Sequence, residues 1–72
     1  MPKRYSAKEV LRILHKYHFD VVSQKGSHMK LRGVVGGKLQ TVIVPNHKVI
    51  ATGTLSSIIR QSGLTKDDFD RC

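Results

Sequence analysis

Four histidines are spread along the 72-residue chain, and one of them sits in a pattern with chemical meaning. The segment is Lys25-Gly26-Ser27-His28-Met29-Lys30-Leu31-Arg32, a small turn followed by alternating polar and apolar residues. Read as a strand, the alternation sends His28, Lys30 and Arg32 to one face and Met29 and Leu31 to the other. One imidazole then stands beside two fixed cations on a solvent-facing sheet surface. That arrangement suits a polyanion carrying a scissile phosphodiester. RNA supplies its own nucleophile, the 2′-hydroxyl. A protein need only take that proton, align the attack and stabilise charge on the phosphoryl oxygens. Imidazole as a group is the side chain suited to such work near neutral pH. Acid–base help of this kind is worth on the order of 10²–10⁴-fold. Lys30 and Arg32, roughly 7 Å and more along the strand, are candidates to hold the RNA backbone and its developing charge. Protonation of the leaving 5′-oxygen falls to His47, Lys25 or water, and the residues do not choose among them. A one-histidine site implies a slow enzyme. The same His-x-Lys-x-Arg pattern also fits a plain solvated strand face, so both readings stand at this level.

The other histidines carry less. His15 and His18 are three apart near the end of the first helical stretch. That spacing can share a metal, but no third ligand accompanies it, and a surface role near a helix C-terminus is the better reading. His47 follows Pro45-Asn46 in a loop and either contacts a phosphate or bonds to backbone. Cys72 is the single cysteine and the last residue. It offers no intramolecular disulfide and no cysteine-based metal site, which fits a reducing compartment. Neither a metal nor a cofactor is expected.

Thirteen Lys and Arg stand against five Asp and Glu, giving a formal net charge of +8. The acids are Glu9, Asp20, Asp67, Asp68 and Asp70, with none between Val21 and Lys66. The basic middle contains Lys25, Lys30, Arg32, Lys38, Lys48 and Arg60. This distribution points to nucleic acid or an acidic protein as partner. No apolar run follows Lys3-Arg4, so no signal peptide is expected, and no stretch is long enough to span a bilayer. The expectation is a cytoplasmic protein forming a single domain over residues 1–72. A core of that size is marginal alone, so a partner that binds the folded state adds stability.

The elements that would carry these residues are legible from spacing. Ser6-Ala7-Lys8-Glu9 matches a capping box, with Val10, Leu11, Leu14 and Tyr17 at helical spacing and Ile13 alongside. Lys8, Arg12 and Lys16 form a basic stripe on the opposite face, read as solvated or as touching phosphate. Phe19 to Gln24 is β-rich, Lys25-Gly26-Ser27 is a tight turn, and His28 to Arg32 forms a second strand. Gly36-Gly37 is a hairpin signal before a third strand, Leu39 to Val44, ended by Pro45. A loop runs to about Thr52. Gly53-Thr54-Leu55 opens a second helix, with Leu55, Ile58, Ile59 and Ser62 on one side and Gly63 at its end. Thr65 caps a last short turn, with Leu64 and Phe69 placed as a hydrophobic staple and Asp68 at N3. The result is a two-layer α+β fold, α-β-β-β-α. Its three-stranded antiparallel sheet has both helices on one face and the other face open to water.

Gly26-Ser27-His28, Val42-Ile43-Val44-Pro45-x-His47, Gly53-Thr54-Leu55-x-x-Ile58 and Gly63-Leu64-Thr65 with Phe69 together resemble the HicA (YcfA-like) family. These are small bacterial and archaeal toxins of toxin–antitoxin pairs. The resemblance runs from the first helix to Phe69. Each motif alone is loose, but their order and spacing are specific. The resemblance implies a double-stranded-RNA-binding-domain-like fold and a ribosome-independent mRNA interferase that blocks translation. It implies His28 of Gly-Ser-His as the catalytic histidine and carries His47 over as an RNA contact; Lys25, Ser27, Lys30 and Arg32, around His28 in the sequence, are read beside it as further RNA-binding residues. It also implies a HicB-type antitoxin that covers the active surface, the pair assembling into a higher-order toxin–antitoxin complex with no membrane involved.

Three functions compete on these grounds. The first is a toxin endoribonuclease with His28 as general acid/base. The second is a non-catalytic RNA-binding module on the same fold. Double-stranded-RNA binders grip phosphates across the groove, usually with lysines at the start of the last helix. Here that start is Gly53-Thr54-Leu55-Ser56-Ser57, without a lysine, which counts against the second. The third is a protein-interaction domain whose basic face meets an acidic partner.

Overall fold

The computed structural model describes residues 4–71, so Lys3 and Cys72 lie outside the described residues. Element order is α1 (Ala7–Lys16), β1 (Asp20–Lys25), β2 (His28–Val35), β3 (Lys38–Pro45), α2 (Thr52–Ser62) and α3 (Lys66–Asp70). The strands form an antiparallel sheet in the order β1-β2-β3. The α-β-β-β-α, two-layer α+β arrangement is the expected one, with α3 as the short closing turn.

The starts of α1 and α3 follow the side chains that satisfy free backbone N–H groups, whereas α2 begins after Ala51 without a side-chain cap. Ser6 Oγ accepts from the Glu9 N–H at 3.2 Å, and Glu9 Oε1 accepts from the Ser6 N–H at 3.1 Å. Thr65 and Asp68 repeat this reciprocal cap at α3, at 3.1 and 2.9 Å. The α1 C-terminus closes differently. The Phe19 N–H donates to Leu14 O and the His18 N–H donates to His15 O, while His18 takes φ 70°. That is a left-handed helix stop of the kind usually given to glycine.

Strand β2 is longer than its sequence pattern indicated and runs to Val35. The Gly36-Gly37 turn explains the length. Both glycines have positive φ, 59° and 78°, the conformation that lets a two-residue turn follow the twist of its strands. The β2–β3 ladder is therefore complete from His28↔Pro45 to Val35↔Lys38. Strand β1 starts at Asp20, because Phe19 is not in the strand but wholly inside the core. Its pairing with β2 shifts between Val21 and Ser23, leaving Val22 as a bulge. All six β1 residues are exposed. A bulged edge is a poor template for pairing with another chain.

The core lies between the helices and the sheet face of Met29, Leu31, Val42 and Val44. Val10, Ile13 and Leu14 of α1, Leu55 and Ile58 of α2, and Phe69 of α3 fill it. Tyr5 closes the far end. Its ring meets Phe69 edge-on at 6.2 Å, and its hydroxyl donates to Asp70 Oδ1 at 2.7 Å. Tyr17 also ties α1 to α3, its hydroxyl donating to Asp68 O at 3.1 Å. Gly33 belongs to the core for a steric reason. A Cβ there would stand 2.8–2.9 Å from three ring carbons of the fully buried Phe19.

Gly33→Ala should therefore destabilise by about 1–3 kcal/mol, the usual cost of overfilling a packed site. Urea unfolding monitored by circular dichroism reads it, and an unchanged midpoint would disprove the contact. His18→Gly should act in the opposite sense, raising stability by about 0.5–1 kcal/mol as the left-handed stop loses its Cβ penalty. A thermal midpoint that falls would contradict that account of the α1 terminus.

Candidate functional site

The β2 backbone sets the site. His28 and Arg32 are exposed and Lys30 is half-buried, while Met29 and Leu31 point into the core. The period-two reading of this strand therefore holds residue by residue. The two-residue turn Gly26-Ser27, with Gly26 at φ 59°, folds β1 back so that Lys25 stands directly opposite His28. Partners across such a ladder lie on one face with Cβ atoms about 4.5–5.5 Å apart. Lys25, His28, Lys30 and Arg32 thus share the open face. Ser27 is exposed in the turn beside them. Asp20 pairs with Arg32 at the other end of β1, so the cationic field is strongest around His28.

The face is not uniformly polar. Val34 and Leu39 form a cross-strand pair and are 61% and 66% exposed, and Ile43 stands opposite Lys30. The sequence reading did not anticipate this apolar strip. Its signal was present in the β3 alternation, where Leu39 and Ile43 fall out of phase with the inward Val42 and Val44.

Beside His28 is a groove of about 360 Å³ between the sheet and α2. His28 and His47 both line it, with Thr54, Ser57 and Gln61 from the polar side of α2 and with Ile43 and Pro45 from β3. Helix α2 is held against the free edge of β3 by Gln61, whose Oε1 accepts from the Ile43 N–H at 3.0 Å. That bond directs the carbonyl end of the amide to the strand and leaves its NH₂ end for other partners. Ser57 Oγ donates to Gly53 O at 3.2 Å. The sequence reading missed Thr54, Ser57 and Gln61. Their spacing of three and four along one helix was the available signal, but nothing in it says which strand that side faces.

His47 reaches the groove because its loop is tied down at several points. The His47 N–H donates to Pro45 O at 2.9 Å, and the Asn46 N–H donates to Ser27 O at 2.6 Å. His47 O accepts from the Ala7 N–H at 3.0 Å. That contact satisfies one of the donors left free at the α1 N-terminus. The Ile50 N–H donates to Tyr5 O at 2.7 Å and closes the far end of the loop. The groups that fix the loop are all backbone, so the His47 imidazole is exposed and not required for the fold.

The acids and His15 do not line this groove. His15 Nδ1 lies 3.8 Å from Asp20 Oδ1, both side chains well exposed, a pairing that contributes little. Glu9 and Asp68 serve helix caps, and Asp70 accepts from Tyr5. Among the described residues, no group of three or more His, Cys, Asp and Glu is placed to hold a metal ion. No helix among them is long and apolar enough to cross a membrane.

Fold and site together define a small basic α-β-β-β-α protein whose open sheet face ends in a groove lined by two histidines. The family model described as the HicA toxin of bacterial toxin–antitoxin matches residues 7–64, and the chain belongs to that family. It carries the toxin domain of a toxin–antitoxin system, a class whose members are paired with an antitoxin. No curated protein matches the sequence.

Proposed function

We propose that this toxin is an endoribonuclease, an mRNA interferase that cleaves messenger RNA and so blocks translation in the cytoplasm. The observation that carries the reading is the setting of His28. It is exposed at the end of β2, opposite Lys25, on the face that also holds Lys30 and Arg32, and it opens on the groove against α2.

The chemistry follows from what RNA brings. His28 takes the proton from a ribose 2′-hydroxyl, and O2′ attacks the adjacent phosphorus. Lys25 and Lys30 flank the phosphate and offset the charge that develops on its non-bridging oxygens. Arg32 and Ser27 hold the strand on either side. The P–O5′ bond breaks, leaving a 2′,3′-cyclic phosphate and a 5′-hydroxyl end. No step in that route calls for a metal-bound water; four of the five acids stand in the α1 cap or in α3, and Asp20 stands at the far end of β1 beside His15. The partner that silences the toxin is, on this reading, a HicB-type antitoxin covering the open face. The two form the higher-order complex that the family resemblance implies.

His28→Ala should keep the fold, since His28 is exposed, and should lose growth arrest and RNA cleavage. A fall of at least roughly 10²-fold in cleavage of a defined transcript is expected from removal of the base. A variant that cleaves as fast as the wild type would remove His28 from the chemistry, and a wild type that binds RNA without cleaving it would return the protein to the non-catalytic RNA-binding reading. A separate measurement concerns the ends and the metal. Cleavage in excess chelator should proceed at an undiminished rate and leave cyclic phosphate termini. Loss of activity restored by a divalent cation would overturn the route.

A further inference from the structure

The route above leaves one proton unassigned. When P–O5′ breaks, the departing oxygen must acquire a proton, and His28 cannot give it in the same step in which it takes one. Of the three candidates open from sequence, the structure separates two by position. Lys25 stands on β1, across β2 from the groove. His47 stands on the groove side, and with His28 it lines the same cavity. The β2–β3 register explains the juxtaposition. His28 pairs with Pro45, and His47 follows two residues later on a chain bent back by its own N–H to Pro45 O. The Asn46 N–H to Ser27 O bond, 2.6 Å long, fastens that bend to the residue preceding His28.

We infer that His47 is the second catalytic residue of the site, the general acid that protonates the leaving 5′-oxygen. The inference rests on the endoribonuclease reading and deepens it. In-line displacement places the attacking and leaving oxygens on opposite sides of phosphorus, so base and acid must approach from different parts of the protein. A histidine from β2 and one from the loop after β3 meet that requirement. Atoms balance: the O2′ proton goes to His28, the O2′–P bond forms, the P–O5′ bond breaks, and a His47 proton goes to O5′. A lysine ammonium is a weaker acid by several powers of ten than an imidazolium, which also favours His47 over Lys25 for this step. The backbone ties of the loop fix the position of His47 before substrate arrives, as positioning for proton transfer requires.

Sulfur substitution provides the test. An RNA oligonucleotide that the wild type cleaves is resynthesised with sulfur in place of the bridging 5′-oxygen at the scissile linkage. A thiolate leaves without protonation. His47→Ala and His47→Gln should lose roughly 10²–10³-fold in kcat on the oxygen substrate, the range of general-acid help. Both should return to within about tenfold of wild type on the sulfur substrate. His28→Ala should remain defective on both, because O2′ still has to be deprotonated. If the His47 variants are equally impaired on the two substrates, or impaired only in KM, His47 is an RNA contact and the inference fails while the endoribonuclease reading survives. If the wild type cleaves no RNA from which such a substrate could be chosen, the endoribonuclease reading itself falls, and the inference with it. The Gln variant keeps a hydrogen-bonding side chain at the position, so a defect shared by Ala and Gln and rescued by sulfur cannot come from lost binding or folding.

Discussion

The register of β2 is the constraint on which the molecule depends. This strand is central, paired on both sides, and its side chains alternate between a dry face and a wet one. Met29 and Leu31 are buried against the helices, with Leu31 only 1% exposed. A slip of one residue would turn Lys30 and Arg32 into the core and Leu31 into water, so the pairing has no near competitor. Burying an unpaired cation costs several kcal/mol, far more than such a slip could recover. Turn chemistry at Gly36-Gly37 and the contact of Phe19 over Gly33 pin the same register from the other end of the strand. The position of His28 is therefore set by core packing, although the residue itself is exposed.

The same constraint builds the groove. Because His28 pairs with Pro45, the chain must leave β3 beside His28, and proline ends the strand there for want of an N–H to donate. The loop then returns to α1 through the His47 O to Ala7 N–H contact and to Tyr5 through Ile50. Helix α2 begins at once and settles against the β3 edge, where the Gln61 amide takes the Ile43 N–H. Three elements distant in sequence thus meet around one exposed imidazole. None of those contacts is strong singly. They are made by backbone groups or by a neutral amide, so they leave the charged side chains of the open face free to meet a polyanion.

How much of this could be read from the chain differs sharply by type of interaction. Local rules sufficed for the helices: Ser6 with Glu9 and Thr65 with Asp68 cap as their spacing indicated, and Gly63 ends α2 in a left-handed conformation. Alternation sufficed for the direction of His28, Lys30 and Arg32. What alternation could not give was the extent of β2, since Gly33 interrupts the pattern and its reason, the ring of Phe19, lies fourteen positions earlier. Phe19 itself looked like the first residue of β1 but belongs to the core. His18 resembled a surface residue at a helix end and is also the left-handed stop of that helix. The groove was invisible for a related reason. His28, His47 and Gln61 are brought together only by the β2–β3 register and by the docking of α2, and neither leaves a trace in any short window of sequence.

An open groove also bounds the chemistry that can occur in it. Catalytic sites sealed from water draw much of their power from strong, unscreened electrostatics. This one faces solvent, and its cations sit on a surface where ions and water weaken their field. What remains, on the proposed reading, is position and proton transfer: a phosphate held among Lys25, Lys30 and Arg32, with an imidazole on either side of it. On the proposed reading, acid–base assistance of about 10²–10⁴-fold per group, with modest charge stabilisation, gives a slow nuclease. Slowness is compatible with the role, since a single cut disables a message for every later round of translation. Exposure brings a second consequence. A face broad enough to admit an RNA strand is broad enough to be covered by a protein. The features that admit the one, outward cations beside the apolar strip of Val34, Leu39 and Ile43, suit an acidic antitoxin equally well. On the proposed reading, catalysis and its suppression then use the same surface.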